Sequence, residues 1–411
     1  MNIQIHQGGD KIGGNCVEIS TATTRIILDV GIPVEALQDK AEPVLPDVPG
    51  LFTPGPKIDA ILLSHAHGDH TGLLGKTCKG IPIYCTELTR KVLWVSRAFV
   101  PNTPYLRRIN WLNPGHPVQI GDLTVTPFSV DHSSPGSVAL LIEHDGQRVL
   151  YSGDLRLHGR KPGMFKTLVK ALKDKSIDTL ILEGTHVGQP RRAGKTEWGL
   201  ESLILDEIKS AKGKLVLAVF SPQNLDRLVT FLRAAKQARR IFVADLYTAC
   251  LMDAVCGHVK IPPPRRMSGV RVFFNPSRLA LKKMPGLEQS VYAVNPLSWD
   301  EIQSDPGRYV MISRPSMIKR DFKGKLPEGT RLIYSMWSGY LEKDDWMEAK
   351  EVLIAAQGEL VKLNSGGHIT LEDMRMFIQA VNPKEIMPIH TQFPDAFKTL
   401  VEDLNITIKT S

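Results

Sequence analysis

One short run constrains this chain more than any other feature. Ser64, His65, Ala66, His67, Gly68, Asp69 and His70 follow one another where the apolar stretch IDAILLS ends. Three histidines and an aspartate within six residues, just past a buried strand, are not explained by packing. Polar groups left without partners in a core are costly. Imidazole nitrogens and a carboxylate are the usual ligands of a borderline divalent cation such as Zn²⁺ or Mn²⁺. In a turn, alternate side chains converge on one ion, and the following Asp-His pair reaches a second. The run therefore predicts a metal centre at the end of a strand.

The surrounding pattern predicts the frame. Over the first 190 residues, short apolar runs alternate with Gly, Pro and Asp. Strands are expected over 25–29, 58–64, 82–85, 123–130, 138–144, 148–152 and 179–182, with helices over 86–98 and 164–175. Many strands with few helices predict a layered α/β sandwich rather than a doubly wound sheet. From about Thr196 the pattern changes. Amphipathic helices over 196–211 and 224–238 alternate with buried strands over 214–220 and 240–244, a parallel βαβ unit. The Pro-rich 261–266 is a loop, and 308–312 and 331–336 are further strands. Then come a helix over 346–357, a strand over 359–363, a Gly-rich turn, a helix over 371–381 and a strand over 385–389. There is no internal repeat.

Charge separates the same regions. The 411 residues carry a net +8. Residues 191–345 hold 26 Lys/Arg against 16 Asp/Glu, so this stretch carries the whole excess and the remainder is slightly acidic. It includes the pairs Arg239–Arg240, Arg265–Arg266, Lys282–Lys283 and Lys319–Arg320. Such a segment suits an anionic partner. With 42% hydrophobic and 23% charged residues the chain is neither disordered nor collagenous. Five cysteines without metal spacing point to reduced thiols in the cytoplasm. The start MNIQIHQGGDKIGG lacks an apolar core, and no stretch reaches 18 apolar residues. Neither a signal peptide nor a membrane partner is expected.

The HxHxDH run at His65, His67, Asp69 and His70 is the signature of the metallo-β-lactamase fold, and the rest of the chain resembles that family in order. Asp29 in IILDVG matches an acidic residue that orients the ligand histidines. His132 in SVDHSSPGS and Asp154 in LYSGDLR match two further ligands, with Gly153 allowing close approach. Past Asp154 the chain is similar to the β-CASP branch, the nucleases of this superfamily, most like ribonuclease J-type enzymes. Glu183 in LEGT ends the next strand. Ser221-Pro222-Gln223-Asn224 with Arg227 resembles a strand-to-helix turn of the inserted domain. His368, in Asn364-Ser365-Gly366-Gly367-His368, and His390, in IMPIHTQ, complete the set.

The resemblance implies an αββα metallo-β-lactamase sandwich with an inserted β-CASP α/β domain: 1–190 and 346–411 form the sandwich, and 191–345 the insert. It implies two divalent ions, Zn²⁺ first and Mn²⁺ second. His65, His67 and His132 hold one, Asp69, His70 and His390 the other, and Asp154 bridges. His368 and Glu183 serve the leaving oxygen. Asp69 and Asp29 count with them as catalytic. The Gly366–Gly367 turn, entering the helix that follows, suits a phosphate together with Ser365, Ser221, Asn224 and Arg227. The implied reaction is hydrolysis of single-stranded RNA, exo- or endonucleolytic, in processing or decay. The histidine at the last motif favours RNA over DNA. A DNA nuclease of the same architecture in repair or defence is the alternative, ahead of a small-molecule metallo-hydrolase or a silent scaffold. With 21 residues after His390, no additional C-terminal domain is expected, which leaves a homodimer or a protein partner as the open modes of assembly.

Overall fold

The computed structural model describes residues 1–39, 42–106, 108–190, 195–273 and 296–410. The pair Lys282–Lys283 lies outside them. The chain forms two compact units. Unit 1 comprises Met1–Leu157, Lys161–Ala193 and Gly367–Ser411, and unit 2 comprises His158–Arg160 and Gly194–Gly366.

Unit 1 holds two sheets. The first has β1 (Asn2–Gln7), β2 (Cys16–Ser20), β3 (Arg25–Leu28), β4 (Ala60–Leu62), β5 (Ile83–Cys85) and β6 (Ile109–Trp111), paired in that order. The second is built from β7 (Val118–Ile120), β8 (Leu123–Ser129), β9 (Val138–His144), β10 (Gln147–Tyr151) and β11 (Thr179–Glu183). It continues with β19 (Glu385–Ile389) and β20 (Thr407–Ile408) beyond β11.

The two-residue period of a strand explains the layering. Along β9, Val138, Leu140 and Ile142 face a core shared with Val17, Ile19, Ile26 and Leu62 of the first sheet. Ala139 and Leu141 face the other way, onto Leu168, Leu172, Phe377 and Ile378 of helices Pro162–Leu172 and Leu371–Val381. A central strand buried on both faces carries apolar residues at every position, which is why β9 reads as a continuous run. Two packed sheets with outer helices are the αββα sandwich that the resemblance implies.

Unit 2 is one parallel sheet of seven strands. They are β12 (Val216–Val219), β13 (Ile241–Asp245), β14 (Val270–Phe273), β15 (Pro296–Leu297), β16 (Tyr309–Ile312), β17 (Arg331–Tyr334) and β18 (Glu359–Lys362). Their order is β15-β14-β13-β16-β12-β17-β18. Helices Glu197–Ser210 and Leu225–Gln237 start on side-chain caps: the Thr196 hydroxyl accepts the Gly199 N–H, and Asn224 accepts that of Arg227.

The expected boundary near 346 needs correction. Helix Asp344–Ala355 and β18 belong to unit 2, and unit 1 resumes at Gly367. The reason is pairing: β18 runs parallel to β17, with Arg331 opposite Glu359 and Tyr334 opposite Lys362. An α-helix followed by a strand looks the same in sequence whichever sheet receives the strand. The sequence reading also passed over the β1–β2 hairpin. In β1 polar Asn2, Gln4, His6 and Gln7 alternate with its two isoleucines, and the strand has no apolar run.

All five cysteines are free, and burial pushes the thiols of Cys16, Cys85 and Cys250 up to about 12, so they stay protonated. Among the described residues no helix is long and apolar enough to cross a membrane.

Candidate metal centre

Strand ends assemble the centre. β10, β11 and β19 are mutually parallel, with Tyr151 opposite Ile181 and Glu183 opposite Ile389. Their carboxyl ends therefore lie along one edge, and Asp154, Glu183 and His390 leave from it. β3 and β4 are also parallel and deliver Asp29 and the run from Ser64 to His70. Three of these ends turn through left-handed backbone: Asp29 at φ 57°, Gly153 at φ 55° and His390 at φ 56°. Glycine is needed where chains touch. A Cβ at Gly31 would stand 1.7 Å from the Asp69 carbonyl oxygen, and one at Gly153 2.9 Å from Ser64 Cβ.

Outer hydrogen bonds aim the imidazoles. His70 Nδ1 donates to Asp29 Oδ2 at 2.8 Å. Ser64 donates its N–H to Asp29 Oδ1 and its hydroxyl to Oδ2, both at 2.7 Å, and its Oγ lies 3.0 Å from His65 Nδ1. His132 Nδ1 donates to the Gly367 carbonyl at 2.8 Å, and His390 Nδ1 bonds Thr185 Oγ1 at 2.8 Å. With four Nδ1 atoms so engaged, four Nε2 lone pairs face inward, as metal-binding histidines require.

What faces inward falls into groups that could hold cations. His65, His67 and His132 bring one nitrogen each to a common point, and Asp69, His70, Asp154 and His390 form a second group. His65 Nε2 and His132 Nε2 lie 3.0 and 3.2 Å from His67 Nδ1. Asp154 stands between the groups. Its Oδ2 is 3.2 Å from His70 Nε2, 3.7 Å from those of His132 and His390, and 3.8 Å from that of His65. Neither carboxylate oxygen of Asp154, nor His70 Nε2, makes a well-directed hydrogen bond, although all three are buried. Buried polar atoms normally have partners. A set of imidazoles and carboxylates with its inner atoms unsatisfied fits divalent cations.

The electrostatics agree. Burial holds the His65 and His132 imidazoles well below their ordinary range, helped at His65 by the neighbouring histidines, so they stay neutral as ligands must be. Burial opposes a proton on His70 too, but Asp154, Asp29 and Asp69 outweigh it and hold its pKa well above the usual value. The field that favours a proton there favours a cation. Beside the groups, His368 Nδ1 lies 3.1 Å from both Glu183 oxygens. Burial lowers its pKa, Glu183 and Asp154 raise it more, and it ends at about 9.

Asp29, His65, His67, Asp69, His70, His132, Asp154, Glu183, His368 and His390 thus gather in unit 1. The phosphate-binding set fares differently. Arg227 is wholly buried, and its guanidinium donates to Glu197 at 2.8 Å, Ser365 Oγ at 2.8 Å, Asn364 at 3.1 Å and Ser335. Ser365 donates in turn to Glu197 at 2.9 Å. The side chains of Arg227, Asn224 and Ser365 are thus engaged in a buried network and a helix cap. Ser221 gives its carbonyl to the Asn224 N–H at 2.9 Å. The Gly366–Gly367 turn does not enter the helix: Thr370 caps Leu371–Val381, and the Gly366 N–H meets Asn364.

The sequence reading missed Tyr151, whose hydroxyl donates to Asp29 at 2.7 Å. It also missed Thr185, whose Oγ1 meets Glu183 at 2.9 Å, His368 at 3.1 Å and His390 at 2.8 Å. Their only signal was position, three residues before Asp154 and two after Glu183.

Comparison with known proteins bears on this picture. Residues 24–212 match the family profile of the beta-lactamase superfamily domain. An RNase J-like protein of Methanocaldococcus jannaschii is 26% identical over 265 residues, 60% of this chain and 58% of the relative. A ribonuclease J of Helicobacter pylori is 23% identical over 404 residues, 94% of this chain and 55% of the relative. The chain thus spans a little over half the length of these two relatives. A crystal structure of an Enterococcus faecalis protein of unknown function superposes with a TM-score of 0.78 at 20% identity, covering 100% of this chain and 97% of that one.

Proposed function

We propose that this chain, with the fold of the metallo-β-lactamase proteins and a sequence similar to ribonucleases J, is a metal-dependent phosphodiesterase of the β-CASP type that hydrolyses single-stranded RNA. The observation that carries the reading is Asp154, buried among the imidazoles of both groups with neither oxygen in a well-directed hydrogen bond. His65, His67 and His132 would hold one ion, Asp69, His70 and His390 a second, and Asp154 both, with Zn²⁺ first and Mn²⁺ second in order of fit to the donors. Bound there, the ions supply Lewis-acid activation of water and neutralise phosphate charge.

The remaining residues handle orientation and the proton. Asp29, fixed by Ser64 and Tyr151, keeps His70 Nε2 pointed inward. Glu183 accepts a hydrogen bond from His368 Nδ1–H and keeps that proton on the ring, so Nε2 is the atom that would present a proton to the departing 3′ oxygen. Thr185 ties this pair to His390. The basic residues of 191–345 would neutralise backbone phosphates, which positions a strand without reading its bases. Not all of that charge is available: Arg240 donates to the Lys214 carbonyl at 2.9 Å, Lys319 pairs with Glu348 at 2.7 Å and Arg265 with Asp253.

RNA is favoured by His390 at the last motif and by the names of the relatives. Free thiols suit the cytoplasm. The test compares matched single-stranded RNA and DNA, end-labelled, with the metal-loaded and the chelated protein. Metal-dependent loss of RNA with DNA intact is expected. Preferential cleavage of DNA would move the chain to repair or defence, and turnover of a generic ester with neither polymer cut would sink the nuclease reading.

A further inference from the structure

Two residues outside the ligand set link the loops that carry it. Asp131 precedes His132, and Arg156 follows Asp154 by two. Both are buried, at 6% and 0% exposure. The Arg156 N–H donates to the Asp131 carbonyl at 2.7 Å, and its Nε to Asp131 Oδ1 at 3.3 Å. Asp131 Oδ2 accepts the Lys161 N–H at 3.2 Å. One residue thus holds the segment after Asp154 through its carbonyl and both carboxylate oxygens.

Topology shows why such a link matters. His132 leaves the end of β8 and Asp154 the end of β10, and β9 lies between these strands. They are therefore about 10 Å apart, two strand spacings. The backbone hydrogen bond from the Arg156 N–H to the Asp131 carbonyl is what joins the two loops, and His132 Nε2 and Asp154 Oδ2 stand 3.7 Å apart. Apolar packing fills space without fixing a distance; hydrogen bonds are directional. Val130, Leu155, Phe165 and Leu168 line the surroundings of the pair together with Lys161.

We propose that Asp131 and Arg156 are positioning residues that set the separation of His132 from Asp154, and with it the affinity of the centre for its two ions. The inference rests on the reading of His132 and Asp154 as ligands. Groups behind a ligand typically change metal affinity by about 10–100-fold when removed.

The test is titration of the metal-stripped full chain with Zn²⁺ and with Mn²⁺, followed by calorimetry well below the melting temperature. It uses wild type, Arg156→Lys, Arg156→Met and the double variant Asp131→Leu/Arg156→Met. Wild type should take up two ions. Arg156→Lys keeps a cation beside Asp131 but not the planar guanidinium, so its affinity should fall between those of wild type and Arg156→Met. Arg156→Met and the double variant should bind at least one ion about 10–100-fold more weakly. The double variant removes both charges together, and a melting curve recorded beside each titration separates weaker metal binding from loss of fold. Should Arg156→Met fail to fold, the double variant and Asp131→Asn supply the same comparison. Unchanged affinity in these variants overturns the inference. A wild type that binds fewer than two ions overturns the two-metal reading instead.

Discussion

Each unit buries a polar cluster, and the two clusters differ in one respect. In unit 2 the Arg227 guanidinium donates to Glu197, Ser335, Asn364 and Ser365, and every acceptor lies inside the network. In unit 1 the inward nitrogens and carboxylate oxygens crowd one another, and buried atoms of Asp154 and His70 make no well-directed hydrogen bond. A buried polar group without a partner costs on the order of 1–3 kcal/mol. A saturated cluster is architecture. An unsaturated one keeps its cost until something binds.

Replacing a central residue in each cluster should therefore have opposite consequences. Asp154→Asn keeps the shape and removes the charge shared by both groups. Cleavage should fall roughly 10⁴-fold, with loss of bound metal and little change in melting temperature. A variant that cuts at half the wild-type rate would erase the distinction. Arg227→Met leaves the Glu197 carboxylate buried without its guanidinium. Urea unfolding should show a loss of about 3–5 kcal/mol, while metal uptake per folded molecule stays at two ions. A loss below about 1 kcal/mol would mean that the network does not hold unit 2 together.

A smaller effect sharpens the unit 1 side. Thr185→Val removes the hydroxyl shared by Glu183, His368 and His390, and kcat should drop about 10–100-fold with the fold unchanged by circular dichroism. Unaltered kcat would show that Glu183 alone positions His368.

The smallest effect is a pH dependence in unit 2. Burial pushes the Asp245 carboxyl up, but Arg314, with Thr248, more than offsets this and holds it below its ordinary value. A carboxylate with a depressed folded pKa contributes stability that is fully present above its unfolded value, near 3.8, and is lost as pH falls towards the folded one. Wild type should therefore lose more stability than Asp245→Asn between about pH 5 and pH 3, read from urea melts. Parallel curves would leave the pair without weight.

Much of the frame was legible because periodicity is a local property. β9 and β19 and helix Leu371–Val381 coincide with their sequence expectations, since each is apolar on the face or faces that it buries. The charged segment was legible from composition alone. The end of the insert was not, because only pairing assigns β18 to its sheet. The buried network around Arg227 and Ser365 was not legible for a related reason: nothing local says that Glu197, 30 residues away from Arg227, will be buried beside it.

The sequence by itself determined the donor chemistry of the centre, because His65, His67, Asp69 and His70 are adjacent in the chain and no core absorbs them. It also determined that His132, Asp154, Glu183, His368 and His390 follow strand or turn signals. Only the tertiary structure decided which atoms face inward. That depends on Asp29, Tyr151, Thr185 and the Gly367 carbonyl, each far along the chain from the imidazole or carboxylate it orients or in another loop. Hydrogen-bond direction acts over about 3 Å, and a chain can bring residues 235 apart, such as His132 and Gly367, within that reach only by folding.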